Sequence, residues 1–560
     1  MLDTLSRPGG RLQTIAGAGG ADGVLVVSLA GLAAQPPDAA QVAGAVARYL
    51  GYRALREFRA GLYACLAARP DALFELCDAI LCADHAVTSL VQLSLVPAFR
   101  RGHGALYDAL AAGQIDQEKL AALLTGTLPP LADGAEGRAW VAEHDKIDYG
   151  LLERALAGLP APAAAQVQDA CARWRRQRFA IDATPYPRPD AECSPGREQV
   201  HHDACRCDGT RKTIPGWEYQ FTAAIGHLRT AWAALIDVER TTQATRTRQT
   251  IRQVTNLLRR LHAAGSGGAG APLVIFDAGY SAAALTAALA GCPVHLLIRL
   301  PVRSVFYHDP ATWPGKQGRP GKRGIRVACH KHDDPDQSNP EPGECLVLPA
   351  TPLYGTVRID AWHDVHPVIH GDRGWFAGWD GALPVLRGTL LHVTVDHLPG
   401  GREPLKAMWL WHAGPAPLSL DELWRAYLAR FDAEHAFKFA KGTLGLTAAK
   451  IRTPRQADRW ARLVMAAYAQ LLLARPLAAD LRRPWEQRPD PARPLSPGRV
   501  RRGFANIRPR LGTPARVAKP GRPGPGRPKG TATGPAPRHP VPTKTGSKRQ
   551  NRHTSRQAKG

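Results

Sequence analysis

In the last quarter of the chain, Tyr427, Arg430, Glu434 and Lys441 recur at spacings that suit one face of a helix. At about 100° per residue, Arg430, Glu434 and Lys441 all fall within about 60° of Tyr427, on a stripe about 21 Å long at about 1.5 Å per residue. A carboxylate bracketed by two cations and a phenol suits a metal ligand set beside phosphate-contacting donors. A solvated salt-bridge face produces the same spacing, so the stripe has to be weighed with the other acids of the chain. Two of these end short apolar runs: Asp182 closes Phe179-Ala180-Ile181, and Asp277 closes Leu273-Val274-Ile275-Phe276.

The elements that must position these groups are legible around them. Ser419 and Glu422 form a capping box, with Leu418 and Leu423 at the staple positions, so a helix is expected to start there and helices to run on to Arg475. The run to Asp277 reads as a buried strand, Ser281 caps a short helix over Ala282 to Ala290, and Val294 to Leu300 reads as another strand. Strand, helix, strand implies an α/β architecture. Gly216 to Ala224 alternates like a strand with Trp217, Tyr219 and Phe221, and Val238 to Ala264 reads as a long polar helix. Pro301 to Pro417 is crowded with Gly, Pro, Asp and His and carries candidate strands at Gly324–Cys329, Cys345–Pro349, Thr389–Val395 and Lys406–Leu410. Residues 1 to about 170 read as Ala- and Leu-rich helices over Gln41–Ala67, Asp71–Leu81, Ala86–Phe99, Ile115–Leu124 and Tyr149–Ala157. Arg100, Arg101 and His103 sit between two of them, which makes DNA binding by this region one expectation and a plain helical bundle the other.

Composition narrows the class. The chain has 560 residues and a formal net charge of +25, of which residues 491–560 hold +18, with 18 Lys/Arg and no Asp or Glu. The rest is close to balanced. A folded body with a polycationic tail points to a nucleic-acid partner. In the tail, Gly521-Arg522-Pro523 and Gly526-Arg527-Pro528-Lys529 cannot form a helix and are narrow enough to lay arginines into an A·T-rich minor groove. No apolar run reaches the 18 or so residues of a membrane helix, no cleavable leader is visible, and the ten cysteines are too sparse for a disulfide-stapled fold. A soluble, cytoplasmic, nucleoid-associated protein is expected. Cys193, His201, His202, Cys205 and Cys207 lack the spacing of a zinc finger or knuckle, and the Gly-rich stretches Gly17–Gly23 and Gly265–Gly270 lack the lysine of a phosphate loop.

The spacing Tyr427-x2-Arg430-x3-Glu434-x6-Lys441 resembles the Tyr-Arg-Glu-Lys signature of cut-and-paste DDE transposases of bacterial insertion sequences. Phe276-Asp277-Ala278-Gly279-Tyr280 is similar to that family's block around its second aspartate. Ile181-Asp182, with Pro187-Arg188-Pro189-Asp190 and Ser194-Pro195 behind it, is similar to the block around the first in an actinobacterial group. Ile214 to Tyr219, Phe431 to His435 and the Gly-Arg-Pro tail resemble the same group, so the likeness runs from about Leu93 to the C-terminus. Val200 to Asp208 departs from the family's block after the first aspartate, and Ser281 stands where an aspartate is frequent.

The resemblance implies an RNase H-like α/β core interrupted by a β-rich insertion, preceded by a helical N-terminal domain and followed by a disordered basic tail. The implied boundaries are 1–172 for the helical domain, 173–300 for the first part of the core, 301–417 for the insertion, 418–478 for the catalytic and C-terminal helices, and 479–560 for the tail. It implies Asp182, Asp277 and Glu434 as the catalytic, metal-holding acids of a transposase, with two Mg²⁺ ions, or Mn²⁺ in their place, about 3.5 to 4 Å apart. It implies DNA contacts from Tyr427, Arg430 and Lys441, to which the tail's Arg522, Arg527 and Lys529 are added by their own pattern. An insertion tryptophan, Trp362, Trp375 or Trp379, would stack on a flipped base. The implied partners are transposon-end and target DNA and a second copy of the chain in a homodimer. An RNase H-like nuclease without strand transfer, and a non-catalytic DNA-binding derivative of a transposase, remain alternatives.

Overall fold

The computed structural model describes residues 39–128, 177–201, 213–225, 232–264, 270–310, 323–331, 339–372, 374–399, 408–488, 495–519, 528, 530 and 534–541. Arg522, Arg527 and Lys529 lie outside the described residues, as do Tyr149–Ala157, His202, Cys205 and Cys207.

The N-terminal helices are α1 (Ala39–Ala64), α2 (Pro70–Cys82), α3 (Leu90–Ser94), α4 (His103–Ala112) and α5 (Gln117–Thr125). A two-stranded ribbon of β1 (Leu66–Ala68) and β2 (Gln114–Ile115) ties them. Of the helix expected over Ala86–Phe99 only α3 forms, capped by the Ser89 side chain, which accepts from the Gln92 N–H. Arg100 and Arg101, the basic residues between these helices, are engaged by acids of α2. Arg100 donates to the fully buried Glu75 at 2.6 Å, and Arg101 pairs with Glu75 and Asp71 at 3.4 and 3.5 Å. A carboxylate buried this deeply needs such partners. His103 opens α4 and stays exposed.

The core sheet is built on β3 (Arg178–Pro187), whose Phe179, Ala180 and Ile181 are wholly buried. After β4 (Glu198–His201) come β5 (Thr213–Ile225), β6 (Ala234–Thr241), α6 (Arg246–Ala263), β7 (Leu273–Phe276), α7 (Ala282–Ala288) and β8 (His295–Arg299). β3 pairs antiparallel with β5 and parallel with β7; β5 pairs antiparallel with β6 and, nearer its start, with β4; β7 and β8 are parallel. The order β6-β5-β3-β7-β8, antiparallel on one side and parallel on the other, is consistent with an RNase H-like core. The long helix begins only at Arg246, because Leu235, Ile236 and Val238 are buried in a strand instead.

Residues 301–417 supply β9 (Val305–Tyr307), β10 (Arg326–Ala328), β11 (Glu344–Thr351), β12 (Gly355–Pro367), β13 (Gly388–Val395) and β14 (Met408–Ala413). β14 pairs antiparallel with β8, and β13, β12 and then β11 and β9 follow. The β-rich segment thus prolongs the core sheet, which reaches twelve strands among the described residues. The free edge of β8 is covered by pairing, not left open.

α8 (Leu420–Gly442) and α9 (Pro454–Ala474) follow, so the helix run expected over Ser419–Arg475 is broken between them. Gly445 turns the chain at φ 76°, and Thr453 with Gln456 makes a capping box ahead of Pro454. Part of the segment read as a basic tail is folded: α10 (Pro497–Leu511) buries Val500, Phe504, Ile507 and Leu511, an i, i+4, i+7, i+11 stripe. Its Arg508 donates to Asp78, and Arg501 donates to the carbonyls of Ile80 and His85. Asp78 also takes Arg59, which reaches Gln470 of α9 at 2.7 Å. N-terminal helices, α9 and α10 therefore share one polar knot inside an apolar core. Among the described residues no helix is long and apolar enough to cross a membrane.

Candidate active site

Residues alternate between the two faces of a strand, and cross-strand partners share a face. Asp182 stands opposite Phe221, whose ring packs on Phe437 of α8 at 5.4 Å, so Asp182 faces α8. The neighbouring Gln220 faces the other way and bonds Thr250 and Gln253 of α6. Ile181 is in register with Phe276 on the parallel strand β7, so Asp182 and Asp277 come next on adjacent strands. Phe276 is likewise in register with Ile298, which puts Arg299 beside Asp277 from the far side. Tyr280 donates to Gln220 at 3.1 Å and Ser281 caps α7, fixing the turn that follows Asp277.

α8 closes the site with Arg430 and Glu434, one helical turn apart. The Arg430 guanidinium donates from Nη1 to Asp182 Oδ2 at 3.2 Å and from Nη2 to Glu434 Oε1 at 2.7 Å. Its side chain is only 5% exposed and lies over the rings of Tyr427 at 5.7 Å and Phe431 at 5.3 Å. Burial pushes the Asp182 carboxyl up to about 6; Arg430 opposes that rise, and the negative charges of Asp277 and Glu434 add to it. Burial also raises the Tyr427 phenol. For Arg430 burial disfavours the charged form, but Tyr427, Asp182, Asp277 and Glu434 outweigh it and hold the guanidinium protonated. The three acids and Arg430 therefore sense one another as a single cluster.

Asp277 is the least compensated member. Its Oδ1 is buried without a hydrogen-bond partner among the described residues, and Arg299, 45% exposed, stands 3.7 Å from it. Arg299 was not among the residues expected from sequence. The signal that could have found it is the parallel ending of β7 and β8: one apolar run stops at Asp277, the next at Arg299.

In donor chemistry this cluster fits a hard divalent cation: three carboxylates, one of them with an unpartnered buried oxygen and one pushed above its ordinary value by burial. In spacing it is not closed on one. Among the described residues no group of three or more His, Cys, Asp or Glu side chains stands close enough to hold a metal ion, and the Arg430 guanidinium lies between Asp182 and Glu434.

The remaining expected residues are spread further. Lys441 lies in the last turn of α8. Trp362 is 1% exposed, donates from Nε1 to the Pro340 carbonyl and stacks on Trp409, so it is a core residue and presents no face to a base. Trp375 is half-buried and Trp379 is 43% exposed.

A family model described as DDE superfamily endonuclease matches residues 61–143 and 138–367 of the chain. The matched range contains both aspartates and stops before α8. No curated protein matches the chain.

Proposed function

The chain belongs to the DDE superfamily of endonucleases, and from that premise we propose that it is a transposase of the Tyr-Arg-Glu-Lys type, cutting DNA at element ends and joining the freed 3′-OH to target DNA. The observation that carries the reading is the meeting of Asp182 from a strand and Glu434 from a helix on one guanidinium, with Asp277 next to Asp182 on the adjacent strand. These three side chains would hold Mg²⁺, with Mn²⁺ able to replace it. Such ions, when bound, activate the attacking oxygen and stabilise the leaving oxygen of a phosphodiester.

The chain's own residues supply the rest. The sheet fixes Asp182 and Asp277 side by side, and α8 brings Glu434 over them. Burial pushes the Asp182 carboxyl up to about 6, so a proton would compete with a cation for it below that pH. Arg299 and Lys441 are the donors we assign to DNA phosphates around the acids, Arg430 joining them once released; Tyr427, 2% exposed, lies against Arg430 and supports it. Trp379, the most exposed of the three insertion tryptophans, is assigned to a flipped base. The basic residues Arg522, Arg527 and Lys529 would add salt-sensitive, largely sequence-independent affinity for DNA. A second copy of the chain would pair two ends in one complex.

The test is cleavage and joining on a supercoiled plasmid carrying the DNA that flanks the gene, with Mg²⁺ and a second plasmid as target. Wild type should cut at the flanking repeats and join the ends to the target. Asp182→Asn, Asp277→Asn and Glu434→Gln should each abolish both steps. Cutting without joining would make the protein a nuclease without strand transfer. Binding without cutting would make it a non-catalytic DNA-binding derivative. Any one of the three variants turning over at the wild-type rate would remove that residue from the metal site.

A further inference from the structure

We propose that Arg430 is a partner-exchange switch: in the DNA-free chain its guanidinium holds Asp182 and Glu434 apart from a metal ion, and a DNA phosphate must take it from them before the acids can close on the cation. The inference rests on the function proposed above and adds an order of events to it.

Three observations carry it. The same oxygens that would ligate a metal, Asp182 Oδ2 and Glu434 Oε1, are the acceptors of the Arg430 fork. Metal and guanidinium therefore compete for them directly. Next, the fork is divided between two separate acids, and its third donor, Nε, is buried without a hydrogen-bond partner among the described residues. A phosphate accepts two parallel N–H bonds from one guanidinium, a geometry that two independent carboxylates do not reproduce. Last, Asp182 and Glu434 are 22% and 46% exposed while the arginine lies beneath them at 5%. The acids form the open side of the cluster and the cation its floor, so Arg430 cannot engage an incoming phosphate while both bonds persist.

Charge balance gives the exchange its direction. Asp182 and Glu434 share Arg430 as their only hydrogen-bonded cation among the described residues, and Arg299 stands 3.7 Å from Asp277. Moving Arg430 to a phosphate leaves the mostly buried Asp182 and the more open Glu434 without their shared cation, which is costly for Asp182 unless a divalent cation replaces the guanidinium. Metal without DNA displaces Arg430 with no anion to receive it. The two ligands should therefore tighten each other by the same factor. The device would keep the metal site closed until DNA has docked.

The experiment is Mn²⁺ binding to the full chain, followed by the electron paramagnetic resonance of free Mn²⁺, which needs no turnover. Without DNA, Arg430→Gln and Arg430→Met should bind Mn²⁺ at least about tenfold more tightly than wild type, since two charge-assisted hydrogen bonds no longer compete. In wild type, a duplex of about 20 base pairs should tighten Mn²⁺ by a similar factor after the duplex's own Mn²⁺ binding is subtracted. This arm needs no variant to fold. In Arg430→Gln the same duplex should add nothing. Equal Mn²⁺ affinity in wild type and both variants, or no effect of the duplex on wild type, overturns the switch. Asp182→Asn and Asp277→Asn separate the two ideas: if they abolish Mn²⁺ binding while Arg430→Gln leaves it unchanged, the metal site stands and the switch falls. If no form of the chain binds Mn²⁺ saturably, the metal site falls and the switch with it.

Discussion

Arg178 and Glu422 meet at 3.8 Å where β3 and α8 begin to run side by side, and Asp182 and Arg430 meet at 3.2 Å further along the same pair. Four strand residues at about 3.3 Å cover about 13 Å, and eight helix residues at about 1.5 Å cover about 12 Å. Helix and strand thus advance in the same direction and keep step over this span. Both pairs belong to one register of strand and helix.

Both members of that first pair are almost wholly buried, at 5% and 3% exposure. Glu422→Leu takes a buried anion from beside Arg178 and should lower stability, by at most roughly 3–5 kcal/mol. Adding Arg178→Met should recover much of that loss. Urea unfolding of the three variants checks both statements. A double variant less stable than Glu422→Leu alone would mean that the arginine works through other partners.

The pH dependence follows from Asp182. Its carboxyl is raised by burial to about 6 in the folded chain, against 3.8 unperturbed. A group raised on folding adds stability that is fully present below its unfolded value and is lost as pH rises through its folded value. In EDTA, the thermal midpoint of wild type relative to Asp182→Asn should therefore fall between about pH 4 and pH 7. Cation binding requires the proton to leave, so Mn²⁺ affinity should weaken toward tenfold per pH unit below about 6. A difference between the two proteins that stays flat across this range would place Asp182 at its ordinary value.

The folded part of the basic C-terminal segment separates two roles that charge alone confuses. Phe504 is wholly buried, so Phe504→Ala should cost about 3–5 kcal/mol. A chain ended after residue 519 keeps α10 but loses the hydrogen bonds of His539 to Glu192 and Arg197, so its melting midpoint should fall less than that of a chain ended after residue 490. Its DNA affinity should depend less on salt, by about 0.9 in the log–log slope for each phosphate the shortened chain no longer neutralises. A chain ended after residue 490 should show both the salt effect and a lower midpoint. Equal midpoints for the two truncated chains would remove α10 from the stabilising core.

The parts of this structure that were legible in the sequence are those where one strong local pattern decides. The apolar runs ending at Asp182 and Asp277, the Ser419 cap and the helical spacing of Tyr427, Arg430 and Glu434 each depend on a few adjacent residues, and each has its element in the fold. What was hidden depends on distant partners. β12 carries Arg358, Asp360, His363 and Asp364 and reads as a loop until β13 and β11 lie against it. α10 looked like tail because its neighbourhood is rich in arginine, yet its apolar stripe finds α2 and α9, far away in the chain. Arg100 and Arg101 looked free for the same reason in reverse: their acids, Asp71 and Glu75, sit on another helix. Arg299 gains its meaning only from the register between β7 and β8.

Side-chain exposure also divides the insertion's tryptophans. Trp362 is locked into the sheet by its indole N–H and by Trp409, so Trp362→Ala should cost about 3–5 kcal/mol and should affect DNA only through loss of fold. Trp379 is 43% exposed, with its ring 5.4 Å from that of Phe376, and Trp379→Ala should leave stability within about 0.5 kcal/mol. If Trp379 receives a flipped base, its loss should weaken binding by about 1–3 kcal/mol on DNA with one unpaired base. It should leave binding to a fully paired duplex nearly unchanged, because phosphate contacts dominate there. A fluorescent purine at the unpaired position reports the stack directly. Wild type should quench it on binding and Trp379→Ala should not. Quenching that survives in Trp379→Ala but disappears in Trp375→Ala would move the stacking role to Trp375, whose half-buried ring would then have to turn outward to meet the base.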